Sequence, residues 1–132
     1  MDNKSRLSAI YPVVGVEAPA QTAAAFQQLF DFEPAFEADW YVHLKGPGSE
    51  MQVGFVRYDH ASVPVVAKRP VEDTAFFVTI DAADVSAIWG DLENQLDVVV
   101  PLTDEEWGQR HFICRLPGNV MVDVVQMLPA AA

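Results

Sequence analysis

The chain has 132 residues and a formal net charge of −11; 51% of its residues are apolar and 20% are charged. That is the length of one domain, 1–132, able to bury a core without disulfides or a metal. Its acidic surface would repel a phosphate backbone, which argues against nucleic acid, and no apolar run is long enough to cross a bilayer.

The N-terminal residues MDNKSRLSAIYP lack the long apolar stretch of a secretory leader. A lone cysteine, Cys114, permits no internal disulfide and reads as a buried structural thiol. A cytoplasmic protein with no membrane partner is expected.

In chain order, a strand is predicted near residues 10–16. A helix follows near 20–30, in which Thr22, Ala25, Phe26 and Leu29 share one face. Strands are expected near 35–38, 40–44 and 50–57, the last two separated by a turn at Pro47-Gly48. Residues 58–73, YDHASVPVVAKRPVED, form a connection long enough to reach across to a partner half. Further strands are predicted near 74–80, 97–101, 110–115 and 120–127. A helix near 82–94 carries the apolar stripe Val85, Ile88, Trp89 and Leu92, and a second turn lies at Pro117-Gly118.

These elements repeat. VGVEAPAQTAAA (14–25) resembles VTIDAADVSAIW (78–89) at an offset of 64, and KGPGSEMQVGFV (45–56) resembles RLPGNVMVDVVQ (115–126) at an offset of 70. Each half therefore reads β-α-β-β-β, with modules at 8–57 and 74–127. The fold class is α+β.

Asp123 stands between Met121 and Val125 in a strand otherwise apolar on both faces, and a buried carboxylate needs a partner or a raised pKa. Arg110 and His43 are the predicted protein partners. His60 reads as a solvated loop residue. His43 and His111 lie in comparable strands and could meet Asp123 for acid–base work. His111 and Cys114, three apart on one strand, point to opposite faces and cannot form a simple nucleophile–base pair. GPGSEMQVG lacks the Lys and helix of a phosphate loop, and no Gly-x-Ser-x-Gly elbow occurs. Trp40, Tyr41, Phe55, Trp107 and Phe112 belong to strands or loops expected to line or rim a pocket, whereas Trp89 reads as core. Trp107, beside Asp104, Glu105 and Glu106, suits a flat or cationic ligand or a loop anchor.

The tandem βαβββ pattern resembles the vicinal oxygen chelate superfamily of glyoxalases, extradiol dioxygenases and bleomycin-resistance proteins. Carrying it are YPVVGV with AAAFQQLFDFEP, DWYVHL, and WGQRHF before the strand–Pro-Gly–strand ending. The resemblance spans about Ile10 to Gln126 and implies two modules forming a cup-shaped mixed sheet, commonly as a homodimer. In metal-using members it also implies ligands on the first and last strand of each module, which fall here on Tyr11, Val53, Ala75 and Asp123. Only Asp123 can serve, whereas a divalent site needs three or four ligands from His, Asp or Glu.

A metal-free small-molecule binding protein is therefore expected, of the bleomycin-resistance type, with a cationic or aromatic antibiotic-type ligand and no cofactor. Its predicted ligand-binding residues are Trp40, His43, Met51, Val53, Phe55, Trp107, Arg110, His111 and Asp123. No catalytic residue or metal ligand is assigned. Two alternatives stand beside this. One is a metal-dependent glyoxalase-like lyase, isomerase or dioxygenase whose atypical site recruits His43, His111 or Glu50. The other is a structural dimer whose cup is filled by its own side chains.

Overall fold

The first strand shows how the sheets are built. In β1 (Val13–Val16) the side chains of Val14 and Val16 are buried and that of Val13 is exposed, the alternation of a strand covered on one face. The computed structural model describes residues 6–48, 50–69 and 77–129. They belong to two units, Met1–Val71 and Glu72–Ala132, and each unit repeats the same element order.

Unit one continues with α1 (Pro19–Phe30), β2 (Glu33–Glu37), β3 (Tyr41–Lys45), β4 (Gln52–Arg57) and a 3-10 turn at Val65–Ala67. Unit two contains β5 (Val78–Asp81), α2 (Val85–Leu92), a 3-10 turn at Glu93–Gln95, β6 (Asp97–Asp104), β7 (Gln109–Leu116) and β8 (Val120–Met127). The sheet orders are β1-β4-β3-β2 and β5-β8-β7-β6. In each, the first and last strands pair parallel and the other pairs are antiparallel. This is the tandem βαβββ, α+β architecture that the repeat predicts.

One helix covers one face of each sheet. Helix α1 opens with Pro19, placed where a missing N–H costs nothing. It ends at Asp31 in the left-handed conformation (φ 60°). Besides Pro19, its buried residues are Thr22, Ala23 and Phe26, which sit over Val14, Val16, Val42, Leu44, Val53 and Phe55, all buried. The Phe26 ring lies 5.8 Å from Phe55 and 4.7 Å from Phe32.

In unit two the Asp84 side chain accepts from Ala87 N at 3.2 Å. This cap starts α2 at Val85 rather than near 82. Gln126 Oε1, reaching up from β8, accepts from Val85 N at 3.0 Å, satisfying another of the N–H groups a helix start leaves unpaired. Below α2 lie Phe112, Cys114, Leu116, Val120, Val122 and Val124, each at most 2% exposed. Trp89 packs on Phe112 at 5.2 Å, in the core role its helix position predicts.

Two expectations, the start of β1 and the role of His60, change. Strand β1 begins at Val13, not near residue 10, because Pro12 has no N–H for the ladder; Ile10 before it is 92% exposed. The predicted start of β5 near residue 74 lies outside the described residues. The connection's described residues, 58–69, belong to unit one itself. Tyr58 N donates to Val16 O at 3.1 Å. Lys68 Nζ donates to the carbonyls of His60 (2.8 Å) and Asp59 (3.3 Å). His60, expected to be a solvated loop residue, stacks on Trp40 at 3.8 Å with the rings 7° apart.

Phe55→Ala should cost about 3–5 kcal/mol of folding free energy, the toll of an aromatic deleted from a packed core. Urea unfolding measures it; a loss below about 1 kcal/mol would place Phe55 outside the core.

Candidate functional site

With one face of each sheet under its helix, polar groups that could do chemistry concentrate on the other. In unit two, Ile113 lies opposite Asp123 and His111 opposite Val125 across β7 and β8. These four share the face away from α2. Cys114 takes the helix side, on the opposite face from His111, as their spacing predicts.

His111 Nδ1 lies 2.8 Å from Asp123 Oδ1. An ionised carboxylate can only accept, so His111 carries a proton on Nδ1. Its other nitrogen, Nε2, faces Glu105 Oε1 at 3.6 Å, beyond hydrogen-bond distance. Glu105 is aimed there by its turn, in which Glu105 N donates to Gln109 O (2.7 Å) and Gly108 N to Glu105 O (3.0 Å). The His111 and Asp123 side chains are 9% and 14% exposed, so the pair is largely out of water. Asp123 was expected to bond Arg110, His43 or a ligand, with a pairing to His43 or His111 as an alternative; its partner is His111.

Arg110 points the other way. Its Nε and Nη2 donate to Asp104 Oδ1 and Oδ2 at 2.6 and 3.0 Å, and Nη1 reaches Ser86 Oγ on α2 at 3.5 Å. The hydrogen bond from Arg110 holds the Asp104 carboxyl below its ordinary value.

The sequence repeat assigned Val53 as the counterpart of Asp123. Val53 and Phe55 instead face α1, so neither lies on the open face where a pocket lining was predicted. The cause is turn length. Between paired Lys45 and Gln52 the β3–β4 turn holds residues 46–51, whereas residues 117–119 suffice between Leu116 and Val120. Three extra residues are an odd shift, and an odd shift flips the face. By sheet register Gly15 pairs with Val56 and Thr79 with Asp123, so the counterpart of Asp123 is Val56.

The metal positions implied by the resemblance therefore do not fit. Tyr11 precedes β1 and packs its ring edge-on to His43 at 4.5 Å; Val53 is under α1, Val56 has no donor atom, and Ala75 lies outside the described residues. Asp123 and Glu105 stand at opposite nitrogens of one imidazole and cannot converge on a single ion. Among the described residues, no group of three or more His, Cys, Asp or Glu within a unit is placed to hold a metal.

Unit one presents a neutral arrangement. Tyr41 Oη lies 2.8 Å from His43 Nδ1, and His43 Nε2 lies 2.7 Å from Gln52 Oε1. An amide oxygen only accepts, so His43 is protonated at Nε2 and Nδ1 accepts from Tyr41. Burial, then the neighbouring Tyr11, raise the Tyr41 pKa, which keeps the phenol neutral. The ring lies across Gly54, where any Cβ would collide with the Tyr41 hydroxyl.

Beside this cluster is a cavity of about 320 Å³. Its floor is Val13, Gly15, Tyr41 and Val56, and the connecting segment supplies Val63, Pro64 and Ala67 above, with Ser62 and Arg69 as polar groups. The sequence reading missed this wall, because nothing local in residues 62–69 shows that they fold back over β1 and β4.

The other predicted residues are dispersed. Trp107 is 65% exposed, and its indole donates to Gln109 Oε1 at 2.8 Å. Trp40 stacks on His60. Met51 lies in the β3–β4 turn, its N–H donating to Gly48 O at 3.2 Å and its carbonyl accepting from Gly46 N at 2.8 Å. Glu50 is exposed in the same turn.

No protein-family model and no curated protein sequence matches the chain. Solved structures do. A glyoxalase/bleomycin resistance protein/dioxygenase from Nocardioides has a TM-score of 0.75 at 11% identity, covering 96% of this chain and 87% of that one. Lactoylglutathione lyase from Agrobacterium tumefaciens has a TM-score of 0.68 at 16% identity, covering 91% and 94%. The bleomycin-binding protein of Streptomyces verticillus, complexed with copper(II)-bleomycin, has a TM-score of 0.63 at 15% identity, covering 94% and 98%. Similarity at this level is similarity of fold.

Asp123→Asn keeps an acceptor for His111 and should cost about 1 kcal/mol, whereas Asp123→Ala strands the imidazole and should cost about 2–3 kcal/mol. Equal costs in urea unfolding would mean that the contact adds nothing.

Cys114 is fully buried, and burial, then the charge of Asp97, push its thiol from 9.0 up to about 11. The folded thiol thus holds its proton while the unfolded one loses it. Its contribution to stability is complete below pH 9 and is lost as pH rises towards 11. At pH 8 iodoacetamide should label the urea-unfolded chain and leave the native one unlabelled; rapid native labelling would contradict this.

Proposed function

We propose that this chain, which has the fold of the glyoxalase/bleomycin-resistance/dioxygenase superfamily, is a small-molecule-binding protein that works without a metal. The observation that carries the reading is the 2.8 Å pairing of Asp123 with His111. The one carboxylate at an inherited metal position already accepts a hydrogen bond from the His111 imidazole, and Glu105 stands at the far side of that ring. Among the described residues, no set of metal ligands converges there.

The open face of unit one supports the binding half of the proposal. A cavity walled by valines, a proline and a phenol ring has the mostly apolar lining, with a few placed polar groups, of small-molecule sites. Separately, in unit two, the exposed Trp107 offers a flat surface on which an aromatic group could stack. An antibiotic-type ligand, sequestered rather than transformed, fits this reading, and bleomycin is the precedent among proteins of the same fold.

Two measurements test it. The untagged protein, exposed to Ni, Zn, Mn and Fe(II) and desalted, should retain far less than one metal per chain by elemental analysis. Retention of about one per chain would put the glyoxalase-like or dioxygenase-like enzyme first. A thermal-shift screen of aromatic and charged small molecules should find at least one that raises the melting temperature in proportion to the logarithm of its concentration, as ligands specific to the native state do.

A further inference from the structure

The cavity of unit one carries more information than its size. We infer that it takes a compact, mostly apolar molecule bearing one anionic group, such as a planar aromatic carboxylate, with Arg69 contacting the anion. This rests on the small-molecule-binding reading and specifies its site and the charge of its ligand.

Size comes first. At about 320 Å³ the cavity lies near the bottom of the roughly 300–1,000 Å³ span of ligand pockets, so it suits a one- or two-ring molecule. Rigidity comes second. The Tyr41 ring is held by its bond to His43, which Gln52 holds in turn. The opposite wall is tied down as firmly: Lys68 is bound to two carbonyls of its own segment, His60 stacks on Trp40, and His60 Nδ1 lies 2.8 Å from Ser62 Oγ. A wall ordered before the ligand arrives loses less entropy on binding.

Charge decides the class. Residues 57–69 contain Arg57, Lys68 and Arg69 against one carboxylate, Asp59, in a chain of net charge −11. Arg57 is paired with Asp59 at 2.8 Å, and Lys68 is occupied by carbonyls. Arg69 lines the cavity, and no carboxylate among the described residues pairs with its guanidinium. Among the described residues, no acidic side chain lines the cavity. A cationic ligand would meet Arg69 unscreened, whereas a carboxylate could take its fork-shaped donor pair. The overall acidity, which points to cationic ligands, is reversed at this wall.

The test is calorimetric titration of the full chain with 2-naphthoate, its neutral amide and 2-naphthylmethylammonium. Naphthoate should bind tightest. Arg69→Gln should weaken naphthoate by about tenfold or more, the loss of a charge-assisted hydrogen bond, and leave the amide unchanged. Ala67→Trp, on the exposed wall, should abolish binding of both with an unchanged melting temperature. Preference for the ammonium probe, or naphthoate affinity indifferent to both variants, would overturn the inference. If no probe binds, but a compound from the thermal-shift screen does and its affinity survives Ala67→Trp, the cavity inference falls and the binding reading stands. If neither probes nor screen yields a ligand, both fall.

Discussion

Everything functional in this chain depends on one helix covering one face of each four-stranded sheet. Side chains alternate across a strand, so covering one face sends every second residue under the helix and leaves its neighbours on the other side. Under the helices go Val14, Val16, Leu44, Phe55, Phe112, Val122 and their neighbours, each buried. Burial of a large apolar side chain contributes about 1.5–3 kcal/mol, so this face fixes the register and the open face inherits it. Tyr41, His43, Gln52, His111 and Asp123 face away from the helices because their neighbours in sequence must face towards them.

The two units use that inherited face differently. Unit two places an imidazole between two carboxylates, with Asp123 in contact and Glu105 opposite. A carboxylate this far from water is costly alone, and His111 offsets the cost by donating to it. The Asp104–Arg110 pair, although bidentate, sits largely in solvent and contributes little to stability. Unit one puts a chain of neutral groups, phenol to imidazole to amide, next to a cavity lined by Arg69. One architecture thus carries an acidic cluster in one copy and an apolar, cation-edged cavity in the other, through substitutions that leave both cores intact.

The duplicated fold was legible because duplication is a pattern within one sequence. The helix stripes, the Pro-Gly turns and the recurring strand runs needed no partner to be recognised. The buried role of Trp89 and the opposite facing of His111 and Cys114 followed from the periods 3.6 and 2 alone. Asp123 was recognisable as exceptional, since a lone carboxylate in an apolar strand must be answered by something. What answers it was not legible. His111 lies twelve residues away across a hairpin, and Arg110, adjacent to it, looked equally able until the face of β7 was known.

Val53 marks the same limit. Aligning the two Pro-Gly turns assumed hairpins of equal length, and three extra residues in one turn reverse the facing of everything beyond it. Residues 62–69 carry no periodic signal, so their return over β1 and β4, and with it the cavity, could not be read locally. By itself the sequence determined the element order, the internal repeat and which residues must leave water, because propensity, periodicity and apolar content are local properties. Only the tertiary structure decided which polar groups meet, because strand register, turn length and the path of the connecting segment are set by packing between residues distant in the chain.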